Sequence, residues 1–265
     1  MTSPMFLIDP SHDDSPLNGD TLHEGWVIEL PDAVRRHAMG AMRLKNGDAL
    51  QLSNGKGLRI NASVLDDQSG SVQVRSFETE PEPRIRLALI QALAKTGHDE
   101  QAIDMATQIG ADEIIPWQAD RSIARFKQGR TDRKWQQTLV AATEQSRRAW
   151  IPKLGECVRS SGVEAICRRA CVHGDVVVVL HQDETTHWSH VEEAVQAMMN
   201  RTFEDERART VYVVVGPEGG ISEQEVAQFA KAGALCCVLG STILRAASAG
   251  PVALALLSRT TGRIL

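Results

Sequence analysis

Apolar residues recur along this chain with two periods, and the change of period divides it. Before Pro83 the pattern is short and alternating. Trp26–Leu30 reads as a strand, and Pro31–Val34 opens a short helix that Arg35, Arg36 and His37 continue. Ala49–Leu52 is another strand. Leu58, Ile60, Ala62 and Val64 take every second position of Leu58–Leu65, as a sheet with one buried face requires. Ser71–Phe77 alternates again. Asn54-Gly55, inside Ser53–Gly57, is a hairpin signal because both residue types tolerate positive φ. Short strands at close spacing predict a small β-barrel over residues 1–80. Glu78-Thr79-Glu80-Pro81-Glu82-Pro83 then reads as a linker, which places a second domain over 84–265.

After Pro83 continuous apolar runs alternate with helical periodicity. Ile85–Ala92 is a strand. Ala102, Ile103, Ala106 and Ile109 share one face of a helix that stops at Gly110, and Glu113–Trp117 is the next strand, completing a βαβ unit. Asp132–Arg147 reads as a helix with Trp135, Leu139 and Ala142 inward. Asp175–Leu180 is a strand and Val191–Met199 a helix. Val211–Val215 is a β-branched run suited to a strand covered on both faces. Gly216-Pro217-Glu218-Gly219-Gly220 ends it. Ser222 and Glu225 form a capping box for the next helix, and Gly233 sits at its C′ position. Leu235–Leu239 is a last strand, Gly240–Gly250 a second turn, and Pro251 suits the first turn of a closing helix. The expected fold is α/β with about five parallel or mixed strands. Ligands of open α/β sheets bind beyond the carboxyl ends of the strands, where both glycine-containing turns lie.

The formal net charge of −5 does not advertise a nucleic-acid binder, but the charge is uneven. Residues 1–34 carry Asp9, Asp13, Asp14, Asp20, Glu24, Glu29 and Asp32 with no Lys or Arg, and Pro4, Pro10 and Pro16 suggest an irregular arm. Between Arg121 and Arg148 the balance reverses: Arg121, Arg125, Lys127, Arg130, Arg133, Lys134, Arg147 and Arg148 face only Asp132 and Glu144. Such a segment attracts phosphates, and RNA or another polyanion is the expected partner. Lys95, just past a strand end, joins it. Five cysteines lack the pattern of a disulfide framework, so a reducing cytoplasm is expected. Cys167 and Cys171 suit helix packing, and Cys236-Cys237 suits a buried strand. His181, His187 and His190 lack metal-ligand spacing, so no metal is expected. No apolar run approaches the roughly 18–20 residues of a membrane span. The glycine turn is not GxGxxG, which argues against a dinucleotide-dependent dehydrogenase.

These motifs resemble those of the SPOUT class of methyltransferases, and in particular the RsmE family, which methylates N3 of a uridine in 16S ribosomal RNA. The resemblance rests on Val215–Ser222 with Glu225, on Leu239-Gly240 with Ile243-Leu244-Arg245, and on Gln91–Lys95. It extends through Ala106–Ala111, Pro116, Arg121-Ser122, Arg133–Trp135 and Ala141–Arg148, and His37–Asp48 resembles the end of the family's PUA-like barrel. It implies a PUA-like β-barrel RNA-binding domain followed by a SPOUT domain with a C-terminal trefoil knot, a homodimer, and S-adenosyl-L-methionine as cofactor. Carried over by motif, Gly216, Glu218, Gly219, Gly220, Leu239, Gly240, Ile243 and Leu244 bind the cofactor. Arg245 is the candidate catalytic residue, with pairing to Glu218 or to a helix end as its structural alternative. Lys95, Arg121, Arg125, Arg133, Lys134, Arg147 and Arg148 are the candidate RNA contacts. The chain departs from the family at Thr242, where an arginine is common, and at Ala246–Ala249, which replaces Thr-Glu-Thr-Ala and removes a carboxylate at Ala247. A non-catalytic RNA-binding protein on the same scaffold, or a methyltransferase with another RNA target, are therefore the alternatives.

Overall fold

Residues 3–8, 17, 22–202 and 205–264 are described by the computed structural model. Part of the acidic arm, including Asp9, Pro10, Asp13, Asp14, Pro16 and Asp20, lies outside them. Two compact units form, one from Met1–Glu82 with Val140–Ile151, the other from Pro83–Leu139 with Pro152–Leu265.

The first unit is a five-stranded sheet of Met5–Leu7 (β1), Val27–Glu29 (β2), Ala49–Ser53 (β3), Leu58–Asp66 (β4) and Ser71–Thr79 (β5), in the order β1-β3-β4-β5-β2. β1 runs parallel to β3 and the other pairs are antiparallel. The alternation in β4 is realised, with Ile60, Ala62 and Val64 packed with Leu50, Leu52, Val72 and Val74 in one core. The short helix Asp32–Arg35 (α1) continues into a wide turn through Ala41 that buries Ala38. Residues 140–151 join this unit, whereas the linear division at Pro83 assigned them to the second. The physical reason is a seam of long-range bonds. Leu7 N–H donates to Glu144 (2.8 Å), Ser53 Oγ to the Ala149 carbonyl (3.1 Å) and Trp150 Nε1 to the Glu80 carbonyl (3.0 Å). Gly57 lies against Trp150, and a Cβ there would stand 2.8 Å from the indole.

The second unit is a parallel sheet of Ile85–Ala92 (β6), Glu113–Gln118 (β7), Lys153–Leu154 (β8), Val158–Arg159 (β9), Val176–Leu180 (β10), Arg209–Val215 (β11) and Leu235–Cys237 (β12). The order is β12-β10-β11-β6-β7-β8, with β9 also on β7. Its helices are His98–Ile109 (α2), Thr131–Ser146 (α3), Ser160–His173 (α4), Trp188–Asn200 (α5), Glu223–Lys231 (α6) and Ala246–Thr260 (α7); the last turns of α3 belong to the first unit. One sheet face packs on α4 and α6, the other on α2, α5 and α7. Strands covered on both faces need apolar residues at every position, which is why the run Val211–Val215 is wholly buried.

Two expectations are corrected here. The strand predicted to Leu239 stops at Cys237; Val238 makes only an isolated bridge to His187, and Leu239 lies outside the strand. Pro251 is inside α7, not in its first turn, because the helix begins at Ala246 with Arg245 as its extended N-cap. The run Ala246-Ala247-Ser248-Ala249 consists mostly of the best helix former and extends the helix toward its N-terminus. Pro251 forgoes one backbone bond, to the Ala247 carbonyl. The adjacent Gly250 lets α7 approach the sheet closely, since a Cβ there would lie 2.8 Å from Leu89 Cδ1.

Candidate functional site

The carboxyl ends of β10, β11 and β12 open onto a cavity of about 540 Å³, within the range of small-molecule sites. It lies where β11 is inserted between β10 and β6, so strands of late and early sequence meet there. Every residue expected to hold a cofactor lines it: Gly216, Glu218, Gly219 and Gly220 from the first turn, and Leu239, Gly240, Ile243 and Leu244 from the second. Arg245 and Arg121 line it as well.

Backbone geometry explains the glycines. A Cβ on Gly216 would lie 2.6 Å from Ile221 Cγ1 and 3.3 Å from its nitrogen, so the turn closes only with glycine. Gly220 has φ +74°, a left-handed conformation that glycine adopts without strain. Gly219 approaches Arg121, whose Nη1 donates to its carbonyl (3.3 Å).

The turn is anchored by a buried carboxylate whose reach exceeds its helix-capping role. Glu225 Oε2 accepts from Ser222 N–H (2.9 Å) and Ser222 Oγ (2.9 Å), and Glu225 N–H donates to Ser222 Oγ (3.2 Å), completing the expected capping box. Its other oxygen accepts from Asp120 N–H (2.9 Å) and Ser160 Oγ (2.5 Å). One side chain thus ties the end of β7, the start of α4 and the start of α6. Burial pushes its pKa up, but these hydrogen bonds outweigh burial and hold the carboxyl below its ordinary value.

Glu218 performs a related task at the cavity wall. Its Oε1 accepts from Lys95 N–H (2.9 Å) and contacts His98 Nδ1 (3.1 Å). Partial burial opposes ionisation, yet hydrogen bonds from its own N–H, from Lys95 and from His98 leave its pKa lowered. Glu218 is therefore bonded to the 95–98 turn. Arg245 is exposed, and its guanidinium has no partner among the described residues. It also caps α7 only through its backbone, with the carbonyl accepting from Ser248 N–H (2.8 Å) and Ala249 N–H (3.0 Å).

The basic segment is divided. Arg121, Arg125, Arg133 and Lys134 are exposed on the second unit, with Lys95, whereas Arg147 and Arg148 belong to the first. Lys134 is paired with Glu100 at 2.7 Å. Arg125 and Arg133 offer guanidinium groups with no partner among the described residues. The sequence reading missed His98, His181, Gln182 and Asp183, all of which line the cavity. For His181 the signal in the sequence is its position directly after the apolar run that forms β10. Among the described residues no group of three or more His, Cys, Asp or Glu converges as a metal site would. Cys167 and Cys237 are buried, and burial pushes both thiols up to about 12.

Fold and site together define an α/β protein with a cavity of small-molecule size at the carboxyl edge of a parallel sheet. The model of the RNA methyltransferase domain matches residues 80–258. Ribosomal RNA small subunit methyltransferase E of Mycobacterium bovis is 32% identical over 250 residues, covering 92% of this chain and 91% of the relative. Its counterpart in Bacillus subtilis is 25% identical, covering 92% of this chain and 94% of the relative. The fold is shared with the ribosomal RNA small subunit methyltransferase E of Neisseria gonorrhoeae, solved bound to S-adenosyl methionine (TM-score 0.76, 21% identity, 97% of this chain and 98% of that one). A methyltransferase from Legionella pneumophila in complex with SAM is similar (TM-score 0.75, 22% identity, 98% of each chain). The chain belongs to the RNA methyltransferase family, in its small subunit methyltransferase E branch.

Proposed function

We propose that this chain transfers a methyl group from S-adenosyl-L-methionine to N3 of a uridine in 16S ribosomal RNA. The observation that carries the reading is the cavity at the ends of β10, β11 and β12, walled by two backbone turns and an unpartnered arginine. The residues present fit the cofactor. Glycine at 216 and 220 keeps main-chain groups accessible, and Leu239, Ile243 and Leu244 supply apolar surface for an adenine ring. When bound, the cofactor supplies an electrophilic methyl on a positively charged sulfur, so no metal is required. The chain's own task is to orient the base, exclude water and stabilise negative charge developing on the uracil oxygens. Arg245 takes the last role. The target nucleotide must leave its stack to enter.

Lys95, Arg121, Arg125, Arg133 and Lys134 on one unit and Arg147 and Arg148 on the other hold the surrounding RNA through phosphates. The first unit, whose strands share a single core, is read as the PUA-like barrel. The second is read as a SPOUT domain whose α7 segment threads a trefoil knot, acting as a homodimer in the cytoplasm on the small subunit or its precursor. Among the described residues no helix is long and apolar enough to cross a membrane.

The test is nucleoside mass spectrometry of 16S rRNA with and without the gene. Loss of 3-methyluridine on deletion supports the reading, and an unchanged level overturns it. The alanines at 246–249 favour one alternative, RNA binding without transfer, which turnover with labelled cofactor excludes. A methyl group found on ribose rather than on the base redirects the reading to a 2′-hydroxyl target.

A further inference from the structure

Methylating uracil N3 requires removal of its proton, and the first turn of α7, where the family commonly carries a glutamate, has no ionisable side chain in this chain. The cavity wall offers other acceptors: His98, His181, Asp183 and Glu218, alongside the cations Arg121 and Arg245.

The hydrogen bonds sort the four acceptors. Glu218 already accepts from Lys95 N–H and faces His98. His181 Nδ1 accepts from Asp183 N–H (3.4 Å), so its proton sits on Nε2 and that nitrogen is a donor. His98 is the reverse case. Its Nδ1 lies 3.1 Å from the Glu218 carboxylate, which can only accept, so Nδ1 carries the proton and Nε2 presents a lone pair. His98 Nε2 has no partner among the described residues. Asp183 is exposed to solvent, and its backbone N–H is turned toward His181 Nδ1. On His98's own helix, Asp99 is buried and accepts from Ala94 N–H, and Glu100 is paired with Lys134.

We propose that His98 is the general base of the methyl transfer and that Glu218 is its positioning residue. The assignment rests on the function proposed above. The uracil N3–H bond breaks and its proton passes to His98 Nε2. The N3 electron pair forms the new bond to the methyl carbon, and the sulfur–methyl bond breaks with its electron pair returning to sulfur. The imidazolium then releases its proton to water, which reaches it because the side chains of His98 and Glu218 remain 32% and 38% exposed. A carboxylate fixing one ring nitrogen so that the other acts as a base is the logic of the hydrolase triads.

The test uses the full chain with 16S rRNA and labelled S-adenosyl-L-methionine. His98→Asn retains an N–H toward Glu218 but has no base. It is expected to lower the single-turnover rate at pH 7 by about 10²–10⁴-fold, to leave cofactor affinity by calorimetry within about threefold, and to lose less as pH rises and the substrate ionises unaided. Glu218→Ala, which removes the acceptor facing Nδ1, is read without turnover, by nitrogen NMR of the imidazoles: the His98 tautomer should shift toward Nε2–H. An unchanged rate and pH profile in His98→Asn, or a cofactor affinity that falls in step with the rate, overturns the assignment alone. A wild-type chain that methylates no uridine overturns the proposed function and the assignment with it.

Discussion

Replacing Glu225 with glutamine tests whether one carboxylate holds the glycine turn in place. The acid is 1% exposed and receives four hydrogen bonds, from Asp120 N–H, Ser160 Oγ, Ser222 N–H and Ser222 Oγ. In the amide, one oxygen still serves Asp120 and Ser160, but as a neutral acceptor, which weakens each bond by roughly 1 kcal/mol. The amide nitrogen now faces Ser222 N–H, donor against donor, and the unpaired buried N–H costs roughly 1–3 kcal/mol. Relief from burying a charge offsets part of this, leaving about 2–3 kcal/mol. At about 2–4 °C per kcal/mol for a domain of this size, thermal unfolding by circular dichroism at pH 7 should drop by roughly 4–12 °C. The pH dependence gives a second reading. Because the folded-state pKa of Glu225 is lowered, its contribution is fully present above the unfolded carboxylate pKa of about 4.3 and is lost as pH falls below that. The gap between wild type and variant should therefore narrow in acid. A drop of less than about 2 °C at pH 7, or a gap that stays constant down to pH 3, refutes the reasoning.

Gly216→Ala should weaken S-adenosyl-L-methionine binding by at least about tenfold in calorimetry, since overpacking at Ile221 costs roughly 1–3 kcal/mol or opens the turn. Arg245→Ala should lower kcat for methyl transfer by about 10²-fold or more while leaving cofactor affinity nearly unchanged, measured in single turnovers. Thiol titration of the native protein should find Cys171 reacting fast and Cys167 and Cys237 only on unfolding, because Cys171 is exposed and burial holds the other two as thiols. Phe229→Ala should cost about 3–5 kcal/mol in denaturant unfolding, since the ring is fully buried edge-on to Trp117 with centroids 5.6 Å apart.

Features set by neighbours in sequence were legible. The Ser222–Glu225 capping box and the C′ glycine at 233 are local geometry, and the parallel strands are continuous β-branched runs. Features set by distant partners were not. Nothing in the spacing of Glu225 announces Asp120 and Ser160, and nothing in Trp150 announces Gly57 and Glu80. The end of β12 was misplaced because Val238 and Leu239 are as apolar as the strand before them, yet they turn to face the cavity. His98 escaped notice because a lone histidine at a helix start carries no signal until the chain brings Glu218 beside it.

The two halves of the site differ in what they ask of the sequence. In the proposed reading the cofactor half is built from main chain, so it constrains a few glycines and leaves neighbouring side chains free. Thr242 lines the same wall without disturbing that geometry. The substrate half depends on side chains, and there the alanines have a structural consequence. Ala246–Ala249 form the first turn of α7, with Ala247 buried and only Ala246 and Ala249 on the cavity wall. A carboxylate restored at 247 would start from a packed position rather than from the wall of the cavity. In the proposed reaction the proton of the substrate is then taken by a group from another element. The pairing of the 95–98 turn with Glu218, on the opposite side of the glycine turn in sequence, offers such a group, because a carboxylate and an imidazole are already in contact there.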